Sequence, residues 1–476
     1  ERVLAGLEAG LTIRGEPPVR WTLAERMAHY HVPGVSIAVV DSGRIVWARG
    51  FGVKEAGGAD SVGTETVFQA GSISKPVFAL GAMRLVQDGK LALDEDVNTR
   101  LTTWKVPDNK FTAIEKVTLR RLLNHTAGLT IHGFPGYPAG DPIPTIVQVL
   151  NGEKPANTAP IRVDTVPGSI VRYSGGGTTV AMVLAEDVTK KAFVPWIRET
   201  VLGPAGMKRS SYDEPIAPAL AANAASGHSM EGAVVPGKHF TYPELSAAGL
   251  WTTPSDLARL AIEIQRTWEG KPPKVVSRAT LEQMFTPSPL ATGPDHDLPF
   301  GLGFAIGGSG RDLEFSHGGA DEGFRALFVA FAGRGQAAVV MTNGQAGEPL
   351  LDEVMASIAA EYAWPSHHPK EKVVVARDSS ELAGLVGEYA LDVGAPKPLP
   401  ATVTIEDGRL MLDVPTGSIG KVELLADSDS TFFTRSAGLP IAFGRDRTGR
   451  VIEIVVAGSA RGKRQVGESA KERAIS

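Results

Sequence analysis

The chain has 476 residues, more than one hydrophobic core usually serves, so two domains are expected. Its 43% apolar and 21% charged residues are ordinary for a globular protein, and a net charge of −5 advertises neither a nucleic-acid nor an anionic-membrane partner. The lack of cysteine excludes disulfides, thiolate metal sites and a cysteine nucleophile, and no apolar run reaches the roughly eighteen residues of a membrane span.

In chain order the first signal is a hairpin. A β-rich run at 35–40 leads through Asp41-Ser42-Gly43 into a second run at 44–51. A helix is expected after Ser72. Pro76 suits a first turn, residues 78–86 are almost wholly apolar, and Gly89 is a natural stop. Apolar residues all round mark that helix as buried. Between 91 and 299, helical stretches such as 119–123 and 256–265 alternate with Pro- and Gly-rich loops.

Strand patterns return at 301–306, 313–317, 324–332 and 337–342, the last two joined by Gly333-Arg334-Gly335. A helix over 350–362 and a Pro-bounded linker at 364–369 follow. From about 382 the pattern changes to short alternating runs at 401–405, 409–414, 421–425, 431–435, 441–444 and 451–456. Asp407-Gly408 is the clearest turn between them. The charged tail from Arg461 is expected to fray. Strands at both ends of the first region, with helices between, predict an α+β domain over 1–370: an antiparallel sheet flanked by helices, with a helical insertion. An all-β barrel or sandwich is expected over 376–476.

Three segments could carry chemistry. Ser72-Ile73-Ser74-Lys75 opens the buried helix, and one helical turn places the serine and lysine on one face. A desolvated lysine can accept a serine proton, and the helix N-terminus favours an alkoxide there. The same segment equally suits an N-cap, and Ser418-Ile419-Gly420-Lys421 repeats the spacing between strands. Arg172-Tyr173-Ser174-Gly175-Gly176-Gly177 presents a phenol beside backbone that a ligand can approach; a packing tyrosine in a turn fits as well. Phe315-Ser316-His317-Gly318-Gly319-Ala320, followed by Gly323-Phe324-Arg325, offers an edge strand with free N–H groups, or simply a strand end with a surface histidine. No P-loop, no His-Glu-x-x-His zinc motif and no Gly-x-Ser-x-Gly elbow occurs.

In this order, the three segments resemble the serine β-lactamase and penicillin-binding-protein superfamily, specifically its class C-like branch of esterases, D-aminopeptidases and related hydrolases. Thr66 to Gly71, Leu119-Arg120-Arg121-Leu122-Leu123-Asn124-His125-Thr126-Ala127-Gly128-Leu129, the run Ala248 to Leu257, Gly301-Leu302-Gly303-Phe304 and Thr342-Asn343-Gly344 fit that branch too. The resemblance spans about residues 32–342. It implies a β-lactamase/transpeptidase-like fold, Ser72 as nucleophile, Lys75 and Tyr173 sharing its proton, and an oxyanion hole from the N–H groups of Ser72 and Ala320. His317, Gly318, Gly319, Gly175 and Arg325 would then line the substrate side, and His125 would order a loop.

Two departures from the β-lactamase pattern stand out. Gly175 occupies the place of a usual Asn, and His317 that of a usual Lys, so an amide and a fixed cation for β-lactams are missing. An esterase or amidase is therefore expected. A D-amino-acid-specific peptidase or weak β-lactamase, and a sensor that acylates without turnover, are the alternatives. The resemblance implies a small-molecule or short-peptide substrate, no cofactor, no metal, and a periplasmic or secreted location. The chain opens on Glu1, and no leader is visible in it. Its C-terminal region is similar to the lipocalin-like domains appended to some members. Oligomeric state is left open.

Overall fold

The computed structural model describes residues 2–8, 11–17, 19–290, 299–392, 398–415, 420–435, 438–457 and 460–465. Ser418 lies outside them. The chain divides into two compact units, Leu23–Ile358 and Glu1–Thr22 with Ala359–Ser476.

The first unit is built on a six-stranded antiparallel sheet. Its strands are β1 (Gly34–Asp41), β2 (Arg44–Gly52), β3 (Ala305–Gly307), β4 (Glu314–Asp321), β5 (Phe324–Phe331) and β6 (Gln336–Thr342), in the order β2-β1-β6-β5-β4-β3. The first hairpin thus joins the last one, Val40 facing Ala337 and Val35 facing Thr342. Ser42 and Gly43 both take left-handed φ, as a tight hairpin requires. Between β2 and β3 the chain supplies the helices. α1 (Ser74–Gln87) and α2 (Gly175–Thr189) are buried on nearly every side, while α3 (Pro254–Trp268) lays Leu257, Leu260, Ala261 and Ile264 against the sheet.

Two strand expectations shift. Residues 301–304 do not pair, so β3 is shorter than the run 301–306 suggested. β4 does not stop at His317 but runs on through the glycines to Asp321, because β5 continues to pair with it.

The second unit holds a closed barrel of eight antiparallel strands. They are β7 (Gly387–Asp392), β8 (Leu399–Glu406), β9 (Arg409–Val414), β10 (Gly420–Ala426), β11 (Thr431–Thr434), β12 (Pro440–Arg445), β13 (Val451–Val456) and β14 (Ala460–Arg464). Alternate residues point inward, so Tyr389, Val403, Leu412, Phe432, Phe443 and Ile454 form the core. Up to Arg464 the segment from Arg461 does not fray but closes the barrel against β7, and residues 466–476 of the expected frayed tail lie outside the described residues. The division also departs from a single boundary near 370. Residues 1–22 go with the barrel, because Leu11–Ile13 pairs in parallel with Lys370–Lys372 and Leu11 packs on Leu425 and Phe433.

Candidate active site

Ser72 does not cap the buried helix. It sits in a 3-10 turn, Gly71–Ile73, and α1 begins two residues later with Ile73 as N-cap and no side-chain cap bond. That turn is fastened on several sides. The Ser74 hydroxyl donates to Gly71 O at 2.6 Å and accepts from Leu250 N at 3.0 Å, and the Tyr212 hydroxyl donates to Ser74 O at 2.8 Å. The Ser72 hydroxyl is left to other partners. Lys75 Nζ lies 2.8 Å from Ser72 Oγ and donates to Ala247 O, also at 2.8 Å. The Tyr173 hydroxyl completes the group by hydrogen bonding to Ser72.

Tyr173 precedes Ser174, the N-cap of α2, whose hydroxyl accepts from Gly177 N at 2.9 Å. Its ring is held between the rings of His125 and His132, with centroids 4.3 and 4.9 Å away, and Lys75 Nζ lies 4.9 Å from its centroid. His125 takes a bond on Nδ1 from Ser174 N at 3.2 Å and stands edge-on to Phe300. Through His125 the segment 124–129 therefore orients the tyrosine.

Burial sets the protonation of both groups. Lys75 is 3% exposed, and loss of water pushes its pKa down to about 7, against the pull of the Asp321 charge. Burial pushes the Tyr173 phenol well above its ordinary value, although its bond with Ser72 opposes this. Near neutral pH the lysine can therefore accept a proton while the tyrosine stays a phenol and can donate one.

β4 meets this cluster at its free edge. β3 pairs only with Glu314, Phe315 and Ser316, so the outer edge from Gly318 to Asp321 is uncovered by that strand. The two-residue loop Glu322-Gly323 makes Asp321 and Phe324 the closing pair, which turns the Ala320 N–H away from β5 and toward the edge. The Ser72 turn abuts that edge. Gly71 has φ +50°, and a Cβ on it would fall 2.5 Å from Ala320 N; a Cβ on Gly319 would fall 2.0 Å from Ala70 O. Only glycine permits this approach.

By the two-residue alternation, Phe315, His317, Gly319 and Asp321 share one face, and Gly319 and Asp321 meet the Ser72 turn there. His317 is buried there, not at the surface, with its ring 6.0 Å from that of Tyr173 and Nδ1 2.6 Å from Gly318 O. Gly175 lies at the first turn of α2, where an added Cβ would stand 3.1 Å from both His132 O and the Phe134 ring.

The structure thus brings together Ser72, Lys75, Tyr173, His317, Gly319 and Ala320, with Gly318 exposed beside them and Gly175 one residue past the Tyr173–Ser174 step. Arg325 is not among them. It lies on the opposite face with Ala320's side chain and Leu327, and its guanidinium donates to Asp321 O, Phe324 O and Gln345 Oε1. It braces the β4–β5 turn rather than facing Ser72.

Sequence reasoning missed two carboxyls. Asp321 is 4% exposed and accepts from Gly71 N at 3.1 Å; burial raises its pKa to about 8, against Lys75, the Gly71 N–H and Arg325. Glu244 is fully buried, just before the short helix Leu245–Ala248 whose Ala247 carbonyl holds Lys75; burial raises its pKa to about 7. For Asp321 a signal existed, since two-residue spacing puts it on the face of His317 and Gly319. Glu244 and the Ala247 carbonyl carry no such pattern.

A serine at the head of a buried helix, a lysine one turn on, a tyrosine from a second helix start and a facing strand edge define a serine hydrolase fold of the penicillin-recognising type. Residues 19–361 match the Beta-lactamase family, and the chain belongs to it. Penicillin-binding protein 4* of Bacillus subtilis (strain 168) is 24% identical over 445 residues, covering 89% of this chain and 92% of that one. The octameric penicillin-binding protein homologue from Pyrococcus abyssi shares the fold with a TM-score of 0.60 at 20% identity, over 92% of this chain and 98% of that one. D-amino acid amidase from Ochrobactrum anthropi SV3 does so with a TM-score of 0.59 at 19% identity, over 72% and 97%. Members of the family are serine hydrolases. No helix among the described residues is long and apolar enough to cross a membrane, and none of their acidic and histidine side chains group as a metal site.

Proposed function

We propose that the protein hydrolyses carboxylic esters and amides through an acyl-enzyme on Ser72, with short esters preferred. The observation that carries this reading is the Ser72 hydroxyl, held 2.8 Å from a buried lysine whose pKa is lowered to about 7. Neutral Lys75 takes the Ser72 proton as Oγ attacks the substrate carbonyl. The N–H groups of Ser72 and Ala320 receive the developing oxyanion. Tyr173, still a phenol, passes a proton to the leaving alkoxide or amine and regains one by way of Lys75. Water then cleaves the acyl ester, and Ser72 recovers its hydrogen.

The surroundings of Gly175 support the ester preference. The Phe134 ring and the His132 carbonyl stand where a side-chain amide would have to grow, so the site offers apolar surface in place of an amide donor. His317, Gly318 and Gly319 line the substrate side without a fixed cation. The relatives named for D-amino acids and penicillins supply the alternative substrates.

A panel of a p-nitrophenyl butyrate ester, D- and L-aminoacyl anilides and a chromogenic cephalosporin tests the reading, with a fluorophosphonate label mapped by peptide analysis. The ester is expected to turn over fastest and the label to sit on Ser72. Tyr173→Phe should keep the fold and lose roughly a hundredfold to ten-thousandfold in turnover. Equal rates on ester and cephalosporin would overturn the ester preference; a label on another residue would overturn the nucleophile.

A further inference from the structure

Asp321 adjoins the site yet has no part in the proton path described above. It directly follows Ala320, points to the Ser72 turn, and is almost wholly buried. Its Oδ2 accepts from the N–H of Gly71, the residue before Ser72. One carboxylate therefore ties the turn that carries one oxyanion donor to the strand that carries the other. The same carboxylate exerts its field on Lys75.

We propose that Asp321 is a positioning residue for Ser72's chemistry: it fixes the Gly71–Ser72 turn against the Ala320 edge and, in its ionised form, places a negative charge near Lys75. This rests on the reading that Lys75 serves Ser72. An acceptor for Gly71 alone could be neutral, and Asn would suffice. A carboxylate adds a field that favours the protonated lysine, so the charge governs how readily Lys75 is found as a free base.

The groups facing this pair are few. Lys75 is bordered by Ser72, the Ala247 carbonyl and the Tyr173 ring. Asp321 is faced by Lys75, Arg325, Glu244 and the Tyr242 phenol. Arg325 and Glu244 act on Asp321 with opposite sign, and Tyr242 stays neutral because burial holds its phenol far above the ordinary range. Lys75 and Asp321 therefore titrate as a pair, and removing the acid moves the base.

The sign follows from the charge. Where the pair holds its proton as ammonium and carboxylate, the anion supports protonated Lys75; without it that form is lost, so free base persists to lower pH. In Asp321→Asn, which keeps an oxygen for Gly71, the acid limb of kcat/KM for p-nitrophenyl butyrate should move down by roughly one pH unit or more. Asp321→Ala also removes the tie to Gly71, and its kcat should fall about a hundredfold below that of Asp321→Asn.

Wild type and Ser72→Ala are measured in parallel. If wild type shows no Ser72-dependent turnover, the parent reading and this inference fall together. If turnover depends on Ser72 and the Asp321→Asn profile superimposes on wild type, the charge role alone is overturned. Equal kcat in the Asn and Ala variants would overturn the tie to Gly71. Should the Ala variant not fold, the shift in Asp321→Asn still decides the charge role.

Discussion

The hydrolase unit and the barrel bury different kinds of side chain. Around Ser72 the unit Leu23–Ile358 sequesters Lys75, Tyr173, Glu244, His317 and Asp321, each under a tenth exposed. Among the described residues of the barrel unit, the buried side chains that carry polar atoms are Thr434, Tyr389 and Trp364, none of them a carboxyl, an amine or an imidazole, with aliphatic and aromatic residues filling the rest. Burying an ionisable group costs stability unless its charge is paired or given up. The barrel therefore keeps the full benefit of apolar burial, whereas the hydrolase unit forgoes some of it to hold buried ionisable groups at shifted pKa values.

The sharpest test of the barrel half of that contrast is Phe443→Ala. Phe443 is 3% exposed and meets Phe432 edge-on at 5.4 Å, with Tyr389 at 6.1 Å. Truncating it should destabilise the barrel by about 3–5 kcal/mol, read as a shift of its transition in a urea melt. A shift below about 1 kcal/mol would mean that the barrel does not depend on its aromatic core, and the contrast would fail.

Glu244 tests the other half. Its carboxyl is fully buried and its pKa is raised to about 7 by loss of water. A group whose folded pKa lies above its unfolded value contributes stability that is fully present below the unfolded pKa, near 4.5, and is lost as pH rises through about 7. The hydrolase unit should thus lose up to roughly 3 kcal/mol from this residue between pH 5 and pH 8. In Glu244→Gln that loss should shrink, so the stabilities of variant and wild type converge at low pH and separate above pH 7. Parallel stability curves from pH 5 to pH 8 would show that Glu244 is not a strained acid.

What could be read from the sequence follows the same divide. Alternation and turn chemistry located six barrel strands, including β9 and β13 to the residue, since Leu410, Leu412 and Val414 alternate without interruption. The closing strand β14 escaped because its central inward position is a glycine. Gly462 is held where a Cβ would press on Leu391 and Ile454 at 2.8 and 2.9 Å, so Ala460-Arg461-Gly462-Lys463-Arg464 reads as a charged tail. In the hydrolase unit the local spacing of Ser72 and Lys75 was legible because one helical turn brings them together. Tyr173 and the Ala320 edge needed family resemblance, since their approach to Ser72 comes from elements far apart in the chain. The Asp321 and Glu244 carboxyls needed the fold itself. Arg325 was misplaced because its nearness in sequence to Ala320 says nothing about which face of the sheet carries it.

The smallest expected effect separates two reasons for glycine. Gly408 and Gly319 are both required, but by different physics. Gly408 follows Asp407 in the two-residue turn between β8 and β9, where Asp407 has φ 49° and Gly408 has φ 76°. Nothing lies within 4 Å of a Cβ built on Gly408, so the only penalty for Ala there is its left-handed backbone. Gly408→Ala should therefore cost about 1 kcal/mol in the barrel transition and leave the register of Glu406 against Arg409 intact. Gly319 has no positive φ, yet a Cβ would strike Ala70 O at 2.0 Å and push β4 away from the Ser72 turn. The same substitution there should spare the barrel transition and lower ester turnover. If Gly408→Ala instead cost several kcal/mol, the turn would be packed rather than open, and conformational preference alone would not explain that glycine.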